Sequence, residues 1–207
     1  YIDGRNPDKP FFLYLAFNAP HTPFQAPKEY LDRFKDIKDE NRRTYAAMIA
    51  AMDDQIANVL NALDKKGLRD NTIVVFQSDN GGVRDSMFAG EIETKGDLPA
   101  SNAPYRNGKG SLYEGGTRAA ALVNWPGHVK PGEVDGLIHV VDMLPTLAGQ
   151  AGASTAGTKP LDGMDVWKTI SEGAPSPRNE IVYNVEMFRG GVREGDMKLI
   201  WQTPLPQ

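Results

Sequence analysis

The chain has 207 residues, 40% of them hydrophobic, enough to bury one core of ordinary domain size. Its 23 basic and 27 acidic residues leave a formal charge of -4 with no Lys/Arg run, which argues against nucleic acid as a partner. Cysteine is absent, so disulfides, thiolate metal sites and a cysteine nucleophile are excluded from this chain, and no apolar stretch approaches the roughly 20 residues that span a bilayer.

The chain opens at Tyr1 and runs almost at once into the apolar segment 11–17, so it reads as a piece of something longer. That segment, Phe-Phe-Leu-Tyr-Leu-Ala-Phe, has no polar alternation and predicts a strand buried on both faces. It leads into the loop Asn18-Ala-Pro-His-Thr-Pro23. Over residues 41–66 the period changes. Tyr45, Met48, Ile49, Met52, Ile56, Val59, Leu60 and Leu63 recur at steps of three and four, the stripe of an amphipathic helix, with Gly67 as its C-terminal stop. Asp53 and Asp54 fall inside that pattern. Adjacent helical side chains diverge by about 100°, so they read as solvated acids or local ion-pair partners, not as joint metal ligands.

Residues 72–79 predict a second buried strand, ending in Asn80-Gly-Gly82. Strand, helix and strand would make a βαβ unit with parallel pairing, placing the loops after residues 17 and 78 at one sheet edge. Residues 83–107 carry no periodicity and read as a long loop over the strand ends, functional or disordered. A third strand is expected over 119–125, a helix over 140–152, and a Gly/Thr/Pro linker from 153. After residue 177, segment 180–185 and a hairpin over 191–201, turning at Gly195-Asp196, predict the start of a small antiparallel sheet. The fold class expected is α/β, a mixed and largely parallel sheet covered by helices. The division expected is 1–152 for the α/β domain, 153–178 for a linker and 179–207 for the antiparallel subdomain.

Three polar features could carry chemistry. Asp79 and Asn80 offer two hard oxygen donors at a strand end, suited to Ca²⁺ or Mg²⁺, though Asp-Asn-Gly is also a common turn and two donors do not fill a calcium shell of roughly 6–8 oxygens. His21, held between prolines, can act as acid or donor, or simply pack in its loop. His128 reads as a solvated turn residue, and His139 as a cap or core residue. Lys109, between Gly108 and Gly110, could present a compact charge to an anion, or stand solvated in a turn. Glu114 and Arg118, four apart, read as loop scaffold.

The ordered motifs Ala19-Pro-His-Thr-Pro23, Ser78-Asp-Asn-Gly-Gly82, Gly108-Lys-Gly-Ser-Leu-Tyr-Glu-Gly-Gly-Thr-Arg118 and Asp142-Met-Leu-Pro-Thr-Leu-Ala148 together resemble the type I sulfatases of the alkaline-phosphatase-like superfamily. The stretch from Gly157 to Arg178 is similar to the arylsulfatase B (N-acetylgalactosamine-4-sulfatase) branch. The resemblance implies an arylsulfatase-like sulfuric ester hydrolase. Asp79 and Asn80 would then ligate an active-site Ca²⁺, and His21 and Lys109 would bind the sulfate group and assist leaving-group departure. The formylglycine nucleophile of that family comes from a Cys/Ser-x-Pro/Ala-x-Arg element, and none is present, so the resemblance places it upstream of Tyr1 and predicts that this chain alone is inactive. The expected partner is a small-molecule or glycan sulfate ester, a sulfated amino sugar by resemblance. The expected compartment is periplasmic or extracellular in a bacterium and lysosomal in an animal. The rival readings are a phosphate or phosphonate hydrolase of the same superfamily and a non-catalytic paralogue that binds sulfated glycans. Oligomeric state is not readable.

Overall fold

A computed structural model describes residues 1–6, 8–85, 98–183 and 187–203. Ten helices and strands follow one another among them: α1 (Lys28–Arg33), α2 (Glu40–Lys65), β1 (Val74–Gln77), α3 (Glu114–Thr117), β2 (Ala121–Asn124), α4 (Met143–Gln150), α5 (Trp167–Glu172), β3 (Glu180–Tyr183), β4 (Arg189–Glu194) and β5 (Met197–Gln202). β1 and β2 form a two-stranded sheet, and β3-β4-β5 a three-stranded one. The chain divides into two compact units, Tyr1–Thr72 with Phe76–Leu122, and Ile73–Val75 with Val123–Gln207.

In the first unit, α2 begins where the Asp39 carboxylate accepts the Arg42 N–H at 2.7 Å, which satisfies one of the four unpaired N–H groups of a helix start. It stops at Gly67, whose φ of 64° is the left-handed conformation that glycine adopts without steric cost. The N–H of Leu68 then returns to the carbonyl of Leu63 at 2.9 Å, as in a Schellman stop. The predicted stripe is largely buried or half-buried, with Met48 and Leu63 in the core, whereas Ile49 lies at the edge of the stripe and is exposed. Asp54 accepts an ion-paired hydrogen bond from Arg33 of α1 at 2.9 Å, so it is an ion-pair partner and Asp53 is exposed.

Residues 11–17 differ from expectation. They carry no strand, and Phe12 and Tyr14 are 79% and 80% exposed. A run that is apolar on both faces becomes a strand only when backbone partners flank it. None of the described residues pairs with it. The expected parallel βαβ pairing is therefore not formed, and the strand that β1 does pair with is β2, the N–H of Ser78 just beyond β1 donating to the Ala120 carbonyl at 2.9 Å.

In the second unit, β3, β4 and β5 run antiparallel, with Val182 opposite Val192 and Val192 opposite Leu199. Gly195, φ 52°, makes the predicted turn between β4 and β5. β3 ends at Tyr183, and positions 184 and 185 of the expected strand lie outside the described residues. The expected helix over 140–152 is a 3-10 turn (Val140–Asp142) running into α4. Its start is capped by His139, whose backbone N–H donates to Asp142 and whose ring Nδ1 accepts from Val141 N–H. The stretch expected to be a linker contains α5, anchored by buried Val166 and Thr169.

Asp142 is fully buried, and it is the hub of this unit. Its carboxylate accepts from Arg178 Nε at 2.8 Å and also from Arg178 Nη2, from Met164 N–H at 2.8 Å and from His139 N–H at 2.8 Å. Burial raises its pKa. The hydrogen bond from Arg178, those from the Met164 and His139 amides, and the Arg178 charge outweigh that and hold the carboxyl below its usual range.

Candidate functional site

The site lies in the first unit, where two glycine-rich loops interlock. β1 runs out at Ser78, whose hydroxyl donates to the carbonyl of Asn80 at 2.9 Å and turns the chain back on itself. The N–H of Gly81 donates to the Gly116 carbonyl at 3.0 Å, and the N–H of Lys109 donates to the Gly82 carbonyl at 3.2 Å. These approaches require glycine. A Cβ on Gly81 would fall well inside 3.0 Å of the Gly115 carbonyl, and one on Gly108 would also fall inside 3.0 Å of the Gly82 carbonyl.

Asn102 fastens the two loops. Its Oδ1 accepts the Gly82 N–H at 2.8 Å, and its Nδ2 donates to the carbonyls of Gly82 at 2.8 Å and Asn107 at 2.9 Å. An N–H on one side and two carbonyls on the other fix which way the amide points. Residues 86–97 of the expected long loop lie outside the described residues.

On this scaffold the Lys109 Nζ lies 3.1 Å from the Nε2 of His21. The other ring nitrogen, Nδ1, is 2.8 Å from the Thr22 carbonyl. A carbonyl only accepts, so Nδ1 carries the hydrogen and, in the neutral ring, Nε2 accepts from the ammonium. His21 is exposed and Lys109 half-buried. An ammonium and an imidazole edge at this separation can together grip two oxygens of one small anion when Nε2 also carries a proton.

Asp79 is exposed and Asn80 half-buried. The Asn80 amide nitrogen is committed to the Gly81 carbonyl at 2.9 Å, which leaves Oδ1 as the atom able to face a cation. Carboxylate and amide oxygens suit a hard cation. They form part of a shell only, for no three His, Asp or Glu side chains among the described residues cluster as a metal site. A cleft of about 260 Å³ opens beside this loop, bordered by Asn80, Asn102, Tyr105 and Arg118. His21 and Lys109 do not border it, and the ionisable groups, not the void, define the site. His128 is exposed and stacks on Trp125, and His139 caps a turn; neither joins the site. The guanidinium of Arg118 lies over Tyr105 at 5.0 Å.

The family model described as Sulfatase matches residues 1–153 of the chain. The chain belongs to the sulfatase family. Arylsulfatase J of Mus musculus is 39% identical over 204 residues, covering 97% of this chain and 32% of that protein. Arylsulfatase A of Homo sapiens is 32% identical over 181 residues, covering 87% and 32%. The crystal structure of Ps i-CgsB in complex with k-i-k-neocarrahexaose superposes with a TM-score of 0.83 at 34% identity, over 97% of this chain and 43% of that one. The sulfatase chain therefore has the alkaline-phosphatase-like α/β fold, with a small antiparallel sheet at its C-terminal end. It spans about a third of the length of the curated sulfatases it matches.

Sequence reasoning singled out His21, Lys109, Asp79 and Asn80 but gave no role to Asn102. A lone asparagine in an aperiodic loop carries no signal by itself. Its nearness to the Gly108-Lys109 motif was the available clue.

Proposed function

We propose that the complete protein hydrolyses sulfate esters, with His21 and Lys109 gripping the sulfate group. The contact between the Lys109 ammonium and His21 Nε2 carries this reading. Family membership supports it, as do the arylsulfatases among the relatives.

Lys109 supplies a fixed positive charge to the sulfate oxygens, and that charge strengthens its hold as negative charge builds up in the transition state. His21 keeps its ring oriented through the Nδ1 hydrogen bond to Thr22. When the ring takes up a second proton, on Nε2, His21 can deliver that proton to the departing alcohol oxygen and return to the neutral tautomer that accepts from Lys109. Asp79 and Asn80 would contribute a carboxylate and an amide oxygen to a Ca²⁺ shell whose other ligands come from outside this chain. The bound Ca²⁺ would polarise the sulfate oxygens. The formylglycine nucleophile is proposed to lie upstream of Tyr1.

The substrate proposed is a glycan sulfate ester, a sulfated amino sugar being one candidate. The oligosaccharide bound in the structure of Ps i-CgsB supports a glycan. No helix among the described residues is long and apolar enough to cross a membrane. The compartment proposed is the periplasm or exterior of a bacterium, or the lysosome of an animal. The division proposed keeps residues 1–152 with the catalytic α/β domain and 179–207 with the antiparallel subdomain.

The test compares 4-nitrophenyl sulfate with 4-nitrophenyl phosphate on the complete protein. Preferential release of sulfate supports the reading. Faster turnover of the phosphate would replace it with a phosphatase.

A further inference from the structure

We propose that Asn102 is a positioning residue that sets the separation between the Asp79-Asn80 loop and Lys109, an inference that rests on the roles proposed above for those side chains. Gly82 follows the acid-amide pair by two residues, and Asn107 precedes Lys109 by two. The Asn102 amide is bonded to the backbone of both, through the N–H and carbonyl of Gly82 and the carbonyl of Asn107. The two hydrogen bonds to Gly82 engage its N–H and its carbonyl together, as a neighbouring strand would. The Gly82 carbonyl also accepts the Lys109 N–H, so one peptide unit is shared by the asparagine and by the lysine's own backbone. The two bonds to Gly82 are part-buried, and the one to the Asn107 carbonyl is exposed. Without them, the 3.2 Å Lys109–Gly82 bond and the 3.0 Å Gly81–Gly116 bond would be left to join the loops, and of these the first alone lies at Lys109. Lys109 would no longer stand at a fixed distance from the oxygen donors or from His21.

Two substitutions separate positioning from simple stability. Asn102→Ala removes all three hydrogen bonds. Asn102→Asp keeps an acceptor for the Gly82 N–H and turns its second oxygen against two carbonyls. Supporting groups of this kind typically change metal affinity or activity about 10–100-fold. In the complete protein, each variant is expected to lower kcat for 4-nitrophenyl sulfate by about that factor at a temperature where circular dichroism shows it folded, and to weaken Ca²⁺ binding by calorimetry over a similar range. The ¹⁵N resonance of His21 Nε2 is expected to shift as the Lys109 contact loosens. Folded variants with unchanged kcat, Ca²⁺ affinity and His21 resonance would overturn the proposal, even if their melting temperature fell. The resonance reports whatever reaction the protein performs. A wild type inert toward sulfate esters would sink the sulfatase reading, and the His21 shift would still decide whether Asn102 positions Lys109.

Discussion

The ammonium of Lys109 meets the Nε2 of His21 at 3.1 Å across 88 positions of sequence. Neither residue has a local reason to find the other. The contact exists because glycines at 81, 108, 115 and 116 let the Lys109 loop settle onto the loop after β1. It pairs an ammonium with an imidazole without an element of regular structure beneath either one.

Removing either member of the pair should act on the chemical step. Lys109→Ala should lower kcat for an aryl sulfate about 10²–10³-fold, the usual cost of losing one fixed donor to developing charge. His21→Ala should cost about 10²–10⁴-fold, and less with 4-nitrophenol as leaving group than with an alkyl alcohol, which needs its proton more. Steady-state kinetics on the two ester classes checks both figures.

The interlocked glycines tolerate no side chain. Gly81→Ala would drive a methyl into the Gly115 carbonyl, and Gly115→Ala would press on the carbonyls of Arg106 and Asn107. Each is expected to destabilise the first unit by about 1–3 kcal/mol, as overpacking does. Each should also lower activity through displacement of Lys109. Urea denaturation followed by intrinsic fluorescence measures the first effect. Gly127→Ala, where nothing lies within 4 Å but φ is 78°, serves as a control for backbone strain alone.

Buried Asp142 should be needed for folding of the second unit. Asp142→Ala strips Arg178 of its partner and is expected to cost about 3–5 kcal/mol. The pair also fixes a pH dependence. The folded pKa of Asp142 lies below its unfolded value, because the Arg178 hydrogen bond and charge together with two amide donors override burial. Its contribution is then fully present above the ordinary carboxylate range and disappears as pH falls through the depressed folded value. Acid denaturation of the wild type, compared with Asp142→Asn, should show that contribution surviving at pH 5 and vanishing only below about pH 4.

Calcium should be removable and restorable. Dialysis of the complete protein against a calcium-selective chelator is expected to abolish aryl sulfate turnover, and added Ca²⁺ to restore it. Asp79→Ala should raise the Ca²⁺ needed for half-maximal activity. Thermal melts with and without Ca²⁺ give an independent reading, since a ligand that binds only the folded state raises the melting temperature.

Much of this was legible in the residues, and the remainder was hidden for physical reasons. The α2 stripe and the Gly67 stop show in the sequence because a helix with one buried face must repeat at its own period. The Gly195-Asp196 turn shows because few residues accept a positive φ. His21, Lys109, Asp79 and Asn80 stand out as candidates through motif order, whereas the meeting of His21 with Lys109 depends on tertiary packing. α5 escaped because its buried face includes Thr169 and Ser171, polar residues that bond internally to Pro175 and Trp167 carbonyls. The Asp142–Arg178 pair spans 36 positions and leaves no periodic trace. Residues 11–17 show the converse limit: an apolar run announces that it wants burial but not what will bury it.

If His21 and Lys109 act as one anion-gripping unit, a double-mutant cycle on kcat will show it. For aryl sulfate hydrolysis by the complete protein, the His21→Ala/Lys109→Ala double variant is expected to be scarcely slower than the worse single variant, as for residues that act together. Losses that multiply, or single variants with wild-type kcat, would contradict it.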